Sequence, residues 1–151
     1  MGQASRTIIV HAFDDDDAPK GIGFRMSGLG VDREEIKCAK DGTRPPMKKT
    51  DPHHVTFELA NRSSVELRFP RRASDAIWVS ENDRDCPERA ASHGEFRPQS
   101  VSPDGEILKV HNLNSVQGRY KFALNFIDPE NGDEVYSYDP IWDNHNGGTS
   151  A

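Results

Sequence analysis

The stretch from Asn114 to Trp142, NSVQGRYKFALNFIDPENGDEVYSYDPIW, carries the clearest fold signal in the chain. Tyr120, Phe122, Leu124 and Phe126 fall at every second position, with Lys121, Ala123 and Asn125 between them. A strand points successive side chains to opposite faces, so this spacing predicts a half-buried strand. DPENGD then supplies turn residues, and its Asn131-Gly132 pair tolerates the positive φ angles that hairpins need. EVYSYDPIW predicts a last strand beside the first. The polar residues after Trp142, DNHNGGTSA, read as a tail, so the expected organisation is a single domain over 1–142 and a tail over 143–151.

The same period recurs upstream. Val55, Phe57 and Leu59 alternate with Thr56, Glu58 and Ala60, and after NRSS come Val65, Leu67 and Phe69, which predicts two strands joined by a polar turn. Thr7–Phe13 is β-branched and apolar until DDDDAPKG interrupts it with like charges, Pro19 and Gly21. Ile22, Phe24 and Met26 predict a further strand, bent by its neighbouring glycines. REEIKCAKDG fits a short helix or a strand, AIWVS a short strand, and Ile107–Leu113 another strand. Glu81–Pro103 reads as a long polar excursion. With no long helical period and no repeat, the expected class is all-β, a Greek-key β-sandwich of about seven to nine strands.

Composition narrows the function. At 151 residues the chain has the size of one ordinary domain. Only 34% of residues are apolar and 29% are charged, so a core has to come from economical alternation. A net charge of −6 opposes phosphate backbones and anionic lipid, and no nucleic acid or membrane partner is expected. No run approaches the roughly 20 apolar residues of a membrane span, and MGQASRTIIVHAF lacks the apolar centre of a secretory signal. The default expectation is a cytoplasmic location, with export behind a removed leader left open. Arg6 stands where a myristoylation motif needs Ser or Thr. Cys38 and Cys86, far apart in sequence, read most simply as reduced thiols, although spacing leaves their pairing open.

HNLNSVQGRYKF resembles the approach to the tyrosine corner of immunoglobulin-like and fibronectin type III sandwiches, which implies that Tyr120 locks the preceding loop. The same stretch, with EFRPQSVSPDGEILKVHN and VTFELANRSS, also resembles cupredoxin-like sandwiches. Both likenesses are architectural and cover roughly the last third of the chain, with the VTFELANRSS match added. A blue-copper site needs a thiolate, two imidazoles and usually a weak Met ligand held together. The strand that should carry the thiolate offers Ala123 and Leu124, and Cys86 and His93 lie in the long loop with no Met following. The resemblance therefore implies a copper-less domain, and neither cofactor nor metal is expected.

For function, YDPIWDNHN gathers Tyr138, Asp139, Trp142 and Asp143, an aromatic and acidic edge suited to a protein partner or a sugar. The competing reading is that Ile141 and Trp142 complete the core. His53 and His54 follow Asp51, but adjacent strand residues point apart, so a solvated strand entrance is expected rather than a metal site. Asp14–Asp17 lacks the alternation and glycine of a calcium loop. RFPRR, Arg68–Arg72, fits an anion contact or a solubilising strand end equally well. The leading expectation is a non-enzymatic binding or assembly module presenting loops and the C-terminal edge to a protein partner. The alternatives are a metal-binding or cysteine/histidine-dependent enzyme built on Cys86 and His93, and a carbohydrate-binding module at Tyr138 and Trp142. Oligomeric state stays open.

Overall fold

The computed structural model describes residues 4–28, 30–38, 53–85, 87, 92, 94–113 and 118–144. Eleven strands lie among these residues: β1 (Ala4–Asp14), β2 (Ile22–Gly28), β3 (Val31–Asp32), β4 (Glu35–Cys38), β5 (His53–Asn61), β6 (Ile77–Val79), β7 (Phe96–Val101), β8 (Ile107–Asn112), β9 (Gly118–Asp128), β10 (Glu134–Tyr138) and β11 (Ile141–Asn144). One helical turn, α1 (Ala73–Ala76), precedes β6. The protein is predominantly β, in two mixed sheets. No helix among the described residues is long and apolar enough to cross a membrane.

The first sheet has the order β2-β1-β5-β8-β7, in which β1 runs parallel to β5 and the other pairs are antiparallel. The second has the order β10-β9-β11-β4-β3, with β4 parallel to β11. Leu124 of β9 stands opposite both Tyr138 of β10 and Ile77 of β6, so these strands occupy opposite edges of β9. The Phe122 N–H donates to the Pro140 carbonyl at 3.0 Å, which makes β10 and β11 a single interrupted run along one edge.

Alternation explains the core. Tyr120, Phe122, Leu124 and Phe126 of β9 are buried and meet Ile8, Val10, Val55, Phe57, Leu108 and Val110 of the first sheet. Trp142 is 0% exposed and sits among Phe57 (5.8 Å between ring centroids, edge-on), Phe96 (4.8 Å) and Phe122 (5.0 Å). Offset and edge-on geometry is what aromatic quadrupoles favour, so these contacts add to the gain from burial itself.

Four sequence expectations change. Val65–Phe69 is not the return strand of a hairpin with β5. Asn61 accepts from the Ser63 N–H and donates to the Val65 carbonyl, and Ser64 bonds to Asp14, so side chains take the place of ladder bonds at the turn. The chain then crosses to the second sheet, where Arg68 makes an isolated bridge to Ile127 while Leu67 and Phe69 still point inward. REEIKCAKDG, open between helix and strand, contributes β4, which pairs with β3 just before it. His53 is not at a solvated entrance: it is fully buried, and Arg6 Nη2 donates to its Nδ1 at 2.9 Å. Asp143 and Asn144, placed in the tail, belong to β11 and are buried. Asn144 can be buried because Asn112 of the first sheet exchanges two amide hydrogen bonds with it, at 2.8 and 3.0 Å.

Candidate binding cleft

The residues singled out at the C-terminal edge do not converge on an open surface. Trp142 lies in the aromatic core, the place the competing reading gives it, and Tyr138 is buried against Phe24 at 5.7 Å. Burial, helped by the nearby Glu34 charge, pushes the Tyr138 phenol well above its ordinary range. Asp139 is half-buried at the break between β10 and β11. Asp143 lies 3.5 Å from the guanidinium of Arg119, which also binds Asp83 at 2.9 Å and pairs with Glu35. The hydrogen bond to Asp83 is the main reason Arg119 is held more firmly charged than usual, and the same bond lowers the Asp83 pKa.

Tyr120 is buried edge-on to Phe96 at 5.0 Å, and its hydroxyl lies 3.1 Å from where a Cβ on Gly118 would stand. Residues 114–117, which a tyrosine corner would lock, fall outside the described residues, as do Cys86, His93 and the side chain of Cys38. His54 stacks on His111 at 4.2 Å on the outer face of the first sheet. No group of three or more His, Cys, Asp or Glu side chains that could hold a metal occurs among the described residues.

The outer face of the second sheet offers a more coherent arrangement. Ala123, Asn125 and Ile127 of β9 point away from the core, with Trp78 of β6 opposite Ala123 and Val135 of β10 opposite Ile127. Asn125 is buried on this face because its amide donates to the Asp75 carbonyl of α1 at 3.1 Å and accepts from the Ser137 hydroxyl at 2.7 Å. This ties α1 to β9 and stands the segment from Arg68 to Asp75 up as one wall. The opposite rim carries Pro129, Asp133 and Val135, and the space between is about 810 Å³. That volume falls within the range of ligand-sized clefts.

The floor is apolar and the wall is basic. Val135 is 41% exposed, the one exposed large hydrophobic side chain among the described residues. The Trp78 indole N–H is buried with no hydrogen-bond partner among the described residues. Arg68 is occupied, donating to the Pro103 carbonyl at 3.2 Å. Arg71 and Arg72 are exposed, and their side chains make no ion pair or hydrogen bond among the described residues. Sequence reading leaves RFPRR open between an anion contact and a solubilising strand end, and misses the cleft. Its signal is an apolar residue at the outward position of a strand: Val135 beside the inward Tyr136 and Tyr138, and Ile127 beside the inward Phe126.

The chain matches no protein-family model, and its sequence has no significant match among curated proteins.

Proposed function

We propose that the protein is a non-enzymatic binding or assembly module that holds a protein partner in the cleft on the outer face of the second sheet. The observation that carries this reading is the exposed Val135 beside Ile127 and Trp78, walled by Arg71 and Arg72. Interfaces gain most of their affinity from an aromatic or apolar anchor that excludes water, surrounded by a polar rim, and the cleft has both parts. The sheets form the rigid support: β9 is hydrogen-bonded on both edges, so the floor does not have to be ordered when a partner binds.

We read the architecture as a Greek-key sandwich closer to a copper-less cupredoxin-like domain than to an immunoglobulin-like one. Immunoglobulin-like sandwiches are built from two antiparallel sheets, whereas β1 with β5 and β4 with β11 are parallel pairs here.

Selection of a random-peptide display library on the full chain tests the functional reading. Peptides that lose binding to Val135→Glu while still binding a control with Lys109→Glu on the other sheet are the expected result. Enrichment of no peptide sensitive to Val135→Glu would overturn the assignment of the cleft.

A further inference from the structure

We infer that the segment this cleft accepts is acidic: an apolar anchor flanked by Asp or Glu side chains of a partner protein, an inference that rests on the cleft being the binding surface. Charge complementarity carries it. The whole chain has a net charge of −6. The cleft reverses that sign, because Arg68, Arg71 and Arg72 against Asp75 and Asp133 leave a net +1 (three minus two). A basic cleft on an acidic protein selects its partner twice: the overall field disfavours most acidic proteins at long range, and the local guanidiniums attract an acidic segment at contact.

Geometry adds to charge. Arg68 is spent on backbone carbonyls, leaving Arg71 and Arg72 as the fork-shaped donors without a partner among the described residues. A carboxylate matches that fork with two parallel hydrogen bonds. Pro70, whose ring restricts its own φ, precedes them and stiffens the wall from which they project. Asp75 and Asp133 lie toward α1 and the β9–β10 turn, so carboxylates of the occupant are placed at the Arg71–Arg72 wall with the anchor over Ile127 and Val135. A Lys-flanked segment would set its ammonium groups against the Arg71 and Arg72 guanidiniums, with Asp75 and Asp133 alone to offset the repulsion.

Three fluorescent peptides sharing a Phe-Leu anchor and flanked by Asp and Glu, by Gln, or by Lys test this against the full-length chain. Fluorescence anisotropy is read at low and physiological salt with wild type, with the double variant Arg71→Glu/Arg72→Glu, and with Val135→Glu. The acidic peptide is expected to bind wild type tightest and to weaken about tenfold in the double variant. It is also expected to weaken with salt, while the Lys-flanked peptide improves in the double variant. If the Gln- or Lys-flanked peptide binds wild type as well as the acidic one and only Val135→Glu weakens it, the acidic preference is wrong and the cleft reading stands. Binding indifferent to Val135→Glu, or no binding by any peptide, overturns both. All three substituted positions are exposed, and an unchanged near-ultraviolet circular dichroism spectrum verifies that the variants are folded.

Discussion

Replacing Asn144 by Ala removes one half of a buried amide pair that joins the two sheets. Asn112 on β8 and Asn144 on β11 are both fully buried and exchange hydrogen bonds of 2.8 and 3.0 Å. Each bond contributes about 1 kcal/mol net, and leaving a buried amide short of its bonds costs about a further 1–3 kcal/mol. Asn144→Ala should therefore lose about 3 kcal/mol, and Asn112→Ala a similar amount. Once one partner is gone the second loss has largely been incurred, so the double variant should lose about 4 kcal/mol, a coupling of about 2 kcal/mol. Equilibrium urea unfolding followed by tryptophan fluorescence measures all four corners of the cycle, since Trp142 lies two residues from Asn144 in the core. A tail residue would cost under about 0.5 kcal/mol on substitution. Single losses that small, or losses that add within about 0.5 kcal/mol, would refute the amide bridge.

Tyr138→Phe should leave stability unchanged or slightly higher at neutral pH, because its hydroxyl is buried with no hydrogen-bond partner among the described residues. The raised folded-state pKa keeps the wild type's stability intact below the ordinary tyrosine value of about 10 and erodes it above, so urea midpoints across the alkaline range should fall less steeply in Tyr138→Phe. Lys20→Ala should change stability by no more than about 1 kcal/mol yet increase self-association in sedimentation velocity. Lys20 Nζ donates to the Val135 carbonyl at 2.6 Å and pairs with Glu134 at 3.3 Å, blunting the end strand β10 with a charge. Gly105→Ala and Gly132→Ala both force a side chain into positive φ, +74° and +69°, but only at Gly105 would the new Cβ stand 2.6 Å from Arg68. Thermal melts should show Gly132→Ala costing about 1–2 kcal/mol and Gly105→Ala clearly more.

Local alternation was legible and tertiary pairing was not. The inward faces of β5 and β9 follow directly from a period of two, because a strand orients its side chains by its own backbone. The period says nothing of a partner, and Val65–Phe69 kept it while bridging to β9 instead of returning along β5. Polar residues misled for the complementary reason. His53 and Asn144 look like surface from their own neighbours, and are buried because Arg6 and Asn112 arrive from strands far away in sequence.

What the sequence determined by itself is a β protein with a sparse aromatic core, set by where Phe57, Phe122, Phe126 and Trp142 fall along extended chain. It also held both ends of the cleft: RFPRR as a candidate anion contact and Val135 as an apolar residue out of phase. Only the tertiary structure brought them together, since the register of β6, β9 and β10 and the crossing of the chain between sheets are fixed by burial summed over both layers.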